Sequence, residues 1–431
     1  MNNTVKIIVL PTESSAIMNH DGAGGVGCKI YNKKAKVFPP MTCLYMSRVL
    51  KTNGYEVDFI DGNILGFSKK DVLASIVEPT TTYVLFGSLP TIESDLEILL
   101  EFDKDITVIY VNSVAEMFLD EIKESNVKCV ISGDAEKSIL AAVKLGEQYY
   151  YNNFLDKSEI NLLPYPDWDL INIDNYSSYT LLSSRGCSLA CPHCPYYRFQ
   201  RDYFISRDVD NVIDEIKHLH DLYKPDYFLF RDPCFSFDMQ RAYELIEKMI
   251  SLPFNITWGC ETRIDYLSEE LIGKMKVAGC HHIRMGIESA DGNILRKAGR
   301  LSNYDNENLY FEQARNVVSW CKDSDIYSVQ FYMVGFPDDS ADTIGEIKRL
   351  VQWLDPDVAL VNYLVPYPGT TYREELEKSG LIDAKINYSD YGSKNIPVSA
   401  TNNMTCDGLL AAKNDLENWL IQRNRQFYPI R

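Results

Sequence analysis

The chain has 431 residues, of which 45% are hydrophobic and 24% are charged, and its formal net charge is −18. A chain of this length predicts two domains more readily than one, and it can bury a large core without disulfides or metals. The acidic balance disfavours non-specific binding to nucleic acid or to anionic membranes, since both require basic surface. It does not exclude a basic substrate.

No segment of the sequence predicts export or membrane insertion. The apolar run 5–10 is too short for a signal peptide and lacks a small-residue cleavage site. No apolar stretch approaches the roughly 18 residues that span a bilayer. We therefore expect a cytoplasmic protein whose 11 cysteines are mostly reduced thiols. Eight cysteines are scattered and are expected to be small buried hydrophobic residues: Cys28, Cys43, Cys129, Cys234, Cys260, Cys280, Cys321 and Cys406.

The N-terminal part, assigned to residues 1–160, alternates short apolar strands with helices. A helix is predicted over 41–52, because prolines precede it and Asn53-Gly54 follows it, and another helix is predicted from Glu136. This alternation predicts a parallel, doubly wound, Rossmann-like sheet, which binds ligands beyond the C-terminal ends of its strands. The predicted strands are residues 5–10, 56–60, 83–86, 107–111 and 127–131.

A second series of strands and helices follows over residues 161–370, starting with a proline-bearing linker at 163–173. Six strand–helix units predict a partial (βα)6 barrel that is open on one side. Residues 371–431 are expected to form a short C-terminal helical tail with its last helix near 408–423. The predicted strands are 179–183, 227–230, 255–258, 282–286, 328–334 and 358–363, and the clearest helices between them are 209–222 and 242–250.

Three cysteines cluster directly after the first strand of this second series. Cys187, Cys191 and Cys194 have the spacing CxxxCxxC. Three thiolates on a [4Fe–4S] cubane leave the fourth iron without a protein ligand, so that a substrate can bind there. The alternative is a zinc site with His193 as fourth ligand, since structural zinc usually has four protein ligands, although CxxxCxHC is not a common zinc spacing. The glycine and the strand before the cysteines, and the βα pattern after them, favour the cluster over unrelated cysteines.

This arrangement resembles the radical S-adenosylmethionine (SAM) superfamily, in which CxxxCxxC follows the first strand of a βα barrel. The position before the third cysteine is usually aromatic or histidine in that family, and here it is His193. The resemblance implies that SAM binds the open iron and that the reduced cluster cleaves it to a 5′-deoxyadenosyl radical, which abstracts a hydrogen atom. The cofactor carries the difficult chemistry, and the protein supplies position and shielding.

Later segments match the family's second and third strand motifs. The resemblance implies that Asp232, after the second strand, lies near the SAM amino group. It also implies that Arg263 binds the SAM carboxylate, with which a guanidinium pairs bidentately. A structural ion pair is the alternative role for Arg263.

The fourth and fifth strand motifs imply further contacts with SAM. Glu288 is expected to accept hydrogen bonds from the ribose hydroxyls, and Ser289 to touch the methionine end. Gly335 is expected to let the adenine approach the backbone. The residues 366–370 (Pro-Tyr-Pro-Gly-Thr) match the PxPGT turn of the family. These matches occur in the family's order over roughly residues 163–425.

An α/β domain, a radical SAM barrel and a short tail, in that order, resemble the cobalamin-dependent radical SAM group, which includes methyltransferases of unactivated carbon. Residues 38–40, 55–61 and 131–136 fall where that group has its PP, strand and GExE-like segments. The DxHxxG motif for a lower cobalt ligand is absent, and residues 111–116 replace the group's Gly-Gly-x-His segment. Cobalamin binding is therefore implied by the fold more than by individual residues.

Two other segments carry weaker signals. Residues 22–27 satisfy GxGxxG, but a dinucleotide site needs those glycines directly after a strand and at the start of a helix. We expect a flexible loop there instead. A polar insertion over 302–316 is expected to be a loop that either lines the substrate opening or is solvated.

The leading hypothesis is a radical SAM enzyme that methylates an unactivated carbon with cobalamin. The first alternative is a cobalamin-independent dehydratase, epimerase or rearrangement enzyme with a relic N-terminal domain. The second is a non-catalytic [4Fe–4S] electron carrier, which would not need the later strand motifs. The expected partners are a small-molecule or peptide substrate and an electron donor such as flavodoxin or ferredoxin.

Overall fold

The computed structural model describes residues 3–12, 16–31, 35–144, 149–382, 387–391 and 396–424. The chain divides into two compact units. The first unit contains Met1–Ser177, Pro195–Ile205 and Asn387–Ser393, and the second contains Ser178–Cys194, Ser206–Ile386 and Lys394–Arg431. The predicted domain boundaries at residues 160 and 370 stay predictions.

Among the described residues, the first unit contains eight complete strands and seven α-helices. The strands are β1 (Thr4–Val9), β2 (Ile17–Asn19), β3 (Cys28–Ile30), β4 (Glu56–Asp61), β5 (Thr82–Phe86), β6 (Thr107–Val111), β7 (Cys129–Ile131) and β8 (Tyr150–Tyr151). The helices are α1 (Met41–Thr52), α2 (Gly62–Leu65), α3 (Lys69–Ala74), α4 (Ile92–Leu99), α5 (Leu119–Lys123), α6 (Ala135–Lys144) and α7 (Tyr196–Phe199).

Six of these strands form one parallel sheet in the order β4-β1-β5-β6-β7-β8. The chain builds outward from β1 to β4 on one side and then returns to β5 on the other, so the sheet is doubly wound as predicted. The switch point between β1 and β5 is where sheets of this kind bind ligands. Helices α1 and α6 cover one face, and buried Ile7, Val84 and Ile109 are part of the core beneath them.

The remaining strands are β9 (Tyr179–Leu181), β10 (Ser184–Arg185), β11 (Ile205–Ser206), β12 (Phe228–Phe230), β13 (Trp258–Thr262), β14 (Cys280–Glu288), β15 (Tyr327–Val334) and β16 (Val358–Tyr363). The remaining helices are α8 (Val209–Tyr223), α9 (Met239–Ile250), α10 (Glu269–Val277), α11 (Gly292–Lys297), α12 (Glu307–Asp323), α13 (Ala341–Leu354), α14 (Thr371–Lys378) and α15 (Cys406–Arg423).

The second unit contains a parallel sheet in the order β9-β12-β13-β14-β15-β16. Within this sheet the strands lie side by side in their order along the chain, and β9 and β16 are its two edge strands. This arrangement is expected for an open, singly wound (βα)6 barrel. The predicted fold class is therefore confirmed, including the C-terminal helix.

Three local expectations were wrong. Strand β13 begins at Trp258 and not at residue 255. The stretch 163–173 is not a free linker, because buried Asp167 forms ion pairs with Arg48 (2.9 Å) and Lys51 (2.7 Å) on α1. The insertion at 302–316 contains the start of helix α12, whose N-terminus is capped by the side chain of Asn306.

The glycine-rich segment 22–27 lies in a hairpin. Strands β2 and β3 pair antiparallel, with a 3-10 turn at Ala23–Gly25 between them. The glycines therefore do not open a helix, which agrees with the weak nucleotide-site signal. Among the scattered cysteines, Cys28 is only half-buried and Cys406 is exposed, so the expectation of burial was wrong for Cys406. No helix in the described ranges is long and apolar enough to cross a membrane.

Candidate active site

The cysteine loop begins immediately after β10. Gly186 has φ of +74°, a backbone conformation that glycine adopts without strain. Cys191 is buried, Cys187 and Cys194 are half-buried, and none of the three forms a disulfide. The amide of Cys194 donates to the carbonyl of Cys191 over 3.0 Å, which closes a tight turn between these two cysteines. Burial raises the pKa of Cys187.

A buried carboxylate fixes the entry to this loop. Asp232, at the end of β12, accepts hydrogen bonds from Ser183 Oγ (2.7 Å) and from the Ser184 amide (2.6 Å). Burial raises the pKa of Asp232. The predicted contact of Asp232 with the SAM amino group stays a prediction, while the structure shows that both of its oxygens hold the chain that leads to Cys187.

Two arginines act on the same segment. Arg241 on α9 donates to the Ser183 carbonyl over 3.0 Å, and the Arg207 amide donates to that carbonyl over the same distance, 3.0 Å. Arg207 also pairs with buried Glu215. Sequence reasoning missed both arginines, because their partners are backbone atoms distant in the chain and no spacing pattern marks them.

Arg263 follows β13 and lies beside the cysteine loop. Its Nη1 is 3.9 Å from Cys191 Sγ, and its Nε is 2.6 Å from Asp265 Oδ2. The structure thus contains the structural ion pair considered from the sequence and also places the guanidinium next to a cluster cysteine. The role of Arg263 as the partner of the SAM carboxylate stays a prediction.

Glu288 ends β14 at an irregular position. The register with β15 shifts between Gly286 and Glu288, and Glu288 has φ of +76°, which is strained for a residue with a side chain. Its buried carboxylate forms an ion pair with Arg300. Gly286 has no room for a side chain, because a Cβ there would overlap this carboxylate.

Arg300 is a further residue that sequence reasoning missed. Burial alone would lower its pKa, but the adjacent Glu288 carboxylate raises it overall. Arg300 follows helix α11 after Gly299, whose φ of +70° ends the helix. Its distance in sequence from the strand motifs explains why no pattern pointed to it.

Ser289 and Gly335 occupy the ends of β14 and β15. Ser289 is buried, and its hydroxyl accepts from the Asp291 amide over 3.1 Å. Gly335 has φ of +99° and donates through its amide to Asp339 Oδ2 over 2.7 Å. Burial raises the pKa of Asp339 to about 6. The absence of a side chain at Gly335 is the feature that a close approach to the backbone requires.

His193 lies inside the cysteine loop with its ring edge toward Phe336, at 6.4 Å between ring centroids. Burial lowers its pKa to about 4, so the imidazole is neutral at pH 7. Its buried Nδ1 has no hydrogen-bond partner within the described part of the chain. The neighbouring Pro192 carbonyl accepts from the Tyr372 amide over 3.2 Å, so the helix after the predicted PxPGT turn supports this loop.

The described residues contain no group of three or more His, Cys, Asp and Glu side chains placed to coordinate one common metal ion. A [4Fe–4S] cubane makes a different demand, because each thiolate binds a separate iron. The three cysteines of this loop fit such a cluster. The nearby Arg263 guanidinium and His193 Nδ1, which has no hydrogen-bond partner among the described residues, fit a polar ligand beside it.

The strand ends of the first unit carry buried polar groups at the switch point. His20 Nε2 donates to the Leu10 carbonyl at the end of β1 over 2.9 Å, and its ring lies against Phe86 at the end of β5. Asp95 is fully buried and accepts from Tyr110 Oη over 2.7 Å. His20 Nδ1 and Asp95 Oδ1 have no hydrogen-bond partner among the described residues.

The β2–β3 hairpin lies on these strand ends. The Leu89 amide, after β5, donates to the Val26 carbonyl over 2.9 Å. Ser113 Oγ, after β6, donates to the Gly25 carbonyl over 2.7 Å. The polar segment that replaces the glycine pair of the cobalamin-dependent group therefore binds the chain's own hairpin.

Comparison with known proteins identifies the class. Residues 181–351 match the family model described as the Radical SAM superfamily. Over these residues the chain is therefore similar to radical SAM enzymes. This match disfavours the electron-carrier alternative.

Relatives and solved structures refine the similarity. An uncharacterised methyltransferase of Pyrococcus horikoshii is 23% identical over 393 residues, which cover 84% of this chain and 81% of the relative. An anaerobic magnesium-protoporphyrin IX monomethyl ester cyclase of Rubrivivax gelatinosus is 24% identical over 378 residues, which cover 79% of this chain and 66% of the relative.

Two solved structures share the fold over nearly the whole chain. TsrM from Kitasatospora setae, a radical SAM methyltransferase with cobalamin and a [4Fe–4S] cluster bound, has a TM-score of 0.64 and 15% identity, covering 89% of this chain and 80% of TsrM. OxsB, a cobalamin-dependent SAM radical enzyme, has a TM-score of 0.66 and 14% identity, covering 96% of this chain and 66% of OxsB.

Proposed function

We propose that Cys187, Cys191 and Cys194 hold a [4Fe–4S] cluster and that the second unit binds SAM beside it. The observation that carries the proposal is the loop that contains all three cysteines, with Arg263 Nη1 3.9 Å from Cys191 Sγ and with its entry fixed by Asp232. When bound, the cluster and SAM together supply a carbon radical that abstracts hydrogen from an unactivated position.

The chain's own residues bind and orient in this proposal. Arg263 supplies a fixed positive charge beside Cys191, which suits a carboxylate. Glu288 supplies a carboxylate that is paired with Arg300, and a carboxylate suits hydroxyl donors. His193 is a neutral imidazole with a free nitrogen, so it offers a hydrogen bond without adding charge near the cluster.

We propose further that the reaction is cobalamin-dependent methylation of an unactivated carbon in a small molecule or peptide, with flavodoxin or ferredoxin as electron donor and a cytoplasmic location. Support comes from the relatives named as methyltransferases and from the likeness to TsrM and OxsB across both units. The doubly wound order of the first sheet, with its switch point between β1 and β5, supports a ligand site at the same edge.

A second candidate is a cobalamin-independent radical dehydratase, epimerase or rearrangement enzyme. The observation that favours it is the hairpin on the strand ends, held by Leu89 and Ser113. In this case the first unit keeps its fold and the hairpin takes the place of a ligand. The cyclase among the relatives also indicates that related chains are named for reactions other than methyl transfer.

One experiment separates the two candidates. The full chain is reconstituted anaerobically with iron and sulfide, incubated with hydroxocobalamin and desalted, and its absorbance is recorded. A stoichiometric corrin spectrum on the desalted protein supports methylation. Absence of corrin from protein that still cleaves SAM supports the second candidate, while absence of SAM cleavage in a cluster-loaded protein contradicts both.

A further inference from the structure

The first unit contains a cavity of about 560 Å³. Its wall is formed by the segments that follow β1, β4 and β5, together with the hairpin. The apolar lining residues include Ile17, Ile64, Phe67, Pro90 and Ile98. A cavity of this size matches the ordinary dimensions of a small-ligand site.

A buried lysine reaches this cavity from strand β3. Lys29 is only 1% exposed, and it is among the largest fully buried side chains. Within the described ranges Lys29 forms no hydrogen bond or ion pair, and its Nζ lies 6.0 Å from the centre of the Tyr31 ring. Burying an ammonium without a partner is costly, and proteins normally pair such a charge.

The other charged side chains that line the cavity form contacts of their own. Lys69 pairs with Glu97 over 3.4 Å and with Glu101 over 3.5 Å at the surface. Glu93 accepts a hydrogen bond from the Tyr388 amide over 2.8 Å, and burial raises its pKa. Glu93 is close enough to Lys29 for the two charges to interact, but they form no ion pair among the described contacts.

We propose that this cavity binds an organic phosphate with an apolar body, and that Lys29 neutralises the phosphate. A lysine ammonium is a compact point charge that binds phosphate readily. The apolar walls provide for a ring or chain attached to it. The missing counter-charge of Lys29 is then supplied by the ligand.

The phosphate has two chemical sources. One is the phosphodiester that joins the nucleotide tail of cobalamin to its corrin, in which case the inference deepens the proposed function. The other is a separate phosphorylated small molecule. The inference does not depend on corrin binding, because the cavity and Lys29 are present in either case.

The test measures binding of phenyl phosphate, with benzyl alcohol as an uncharged analogue, by calorimetry on the full chain. Phenyl phosphate should bind and benzyl alcohol should not. Lys29→Met should weaken phenyl phosphate about ten- to hundred-fold, the loss expected for one charged hydrogen bond. Lys123→Met is the matched control, since Lys123 on α5 is 57% exposed and lies outside the cavity wall, and it should change affinity little.

Thermal unfolding of the ligand-free variants provides a second readout. A buried lysine whose partner is a ligand should not stabilise the ligand-free fold. Lys29→Met should therefore leave the melting temperature unchanged or raise it. Loss of stability together with unchanged phenyl phosphate binding, or no binding by the wild-type chain, would overturn the proposal and make Lys29 the counter-ion of Glu93.

Cobinamide, which lacks the nucleotide tail, distinguishes the two sources. If Lys29→Met weakens cobalamin but not cobinamide, the phosphate belongs to the corrin. If phenyl phosphate binding depends on Lys29 while both corrins bind equally or not at all, the ligand is a separate molecule. The phenyl phosphate result can therefore be interpreted even if the chain does not bind cobalamin.

Discussion

The amide of Ser184 donates a hydrogen bond of 2.6 Å to the carboxylate of Asp232, which ties the segment before Cys187 to strand β12. The second oxygen of the same carboxylate accepts from Ser183 Oγ over 2.7 Å. Because Asp232 is fully buried, water cannot replace it as a partner. The geometry of the cluster loop therefore depends on a side chain that does not need to touch the cluster.

Replacing Asp232 tests this dependence. Asp232→Ala leaves the Ser184 amide buried without a partner, which should cost about 1–3 kcal/mol and loosen the loop. Asp232→Asn should be milder, because its oxygen still accepts from Ser184 and its amide can donate to Ser183 Oγ. Iron retained after chelator challenge of the reconstituted protein should follow the order wild type, Asn, Ala. Equal retention in all three would show that the hydrogen bond does not support the cluster loop.

Glu288→Ala should weaken SAM binding about ten- to hundred-fold while the cluster persists, because one hydrogen-bonding carboxylate is removed. Calorimetry with the reconstituted protein measures the effect. Glu261→Ala, on the neighbouring strand β13 and 40% exposed, is the control and should bind SAM as the wild type does. Unchanged affinity in Glu288→Ala removes Glu288 from the SAM site.

Arg300→Met should lower stability relative to the wild type. It leaves the Glu288 carboxylate buried and unpaired, a situation that costs about 3–5 kcal/mol. The double variant Arg300→Met/Glu288→Gln removes both charges and should recover most of that loss. Urea unfolding of the chain without added cofactors measures the three free energies. A double variant less stable than Arg300→Met would contradict the assignment of this pair.

Asp95 predicts a particular pH dependence of stability. Burial raises the pKa of Asp95 to about 8, whereas an unfolded aspartate titrates near pH 3.9. Between about pH 4 and about pH 8 the folded chain keeps a proton on Asp95 that the unfolded chain has lost. The free energy of unfolding should therefore fall by at most about 1.4 kcal/mol for each unit by which the pH rises.

Asp95→Asn removes this titration. The wild-type free energy of unfolding should fall from about pH 5 to about pH 8 relative to Asp95→Asn, and the difference should flatten above about pH 8. Glu97→Gln, whose side chain is 68% exposed, should run parallel to the wild type. Parallel curves for the wild type and Asp95→Asn would mean that Asp95 is ionised in the folded protein.

Much of the fold follows from the sequence because its signals are local. Strand β6 and helix α1 match their predicted bounds, since a short apolar run and a helix framed by prolines and Asn-Gly are decided by neighbouring residues. The insertion at 302–316 was mistaken for a loop because its polar residues conceal a helix. Tyr310 is buried there and donates to the Ile287 carbonyl over 3.2 Å.

The site was only partly predictable for the same reason. Spacing alone predicted the three cysteines as cluster ligands, and the order of the strand motifs predicted Arg263, Glu288 and Gly335 as SAM contacts; these roles stay predictions. Arg300 and Lys29 carry no local pattern, because their importance comes from burial and from partners distant in sequence. The burial of a charge becomes visible only when the chain is folded.

The cluster assignment is tested most directly by anaerobic iron–sulfur reconstitution of four variants. These are the single alanine variants of Cys187, Cys191 and Cys194, with Cys406→Ala as control because Cys406 is exposed and distant in sequence. Iron and sulfide content and reductive cleavage of SAM are measured on each. The wild type and Cys406→Ala should bind a full cluster and cleave SAM, and each of the other three should lose both. A Cys187, Cys191 or Cys194 variant that kept a full cluster and cleaved SAM at the wild-type rate would contradict the assignment.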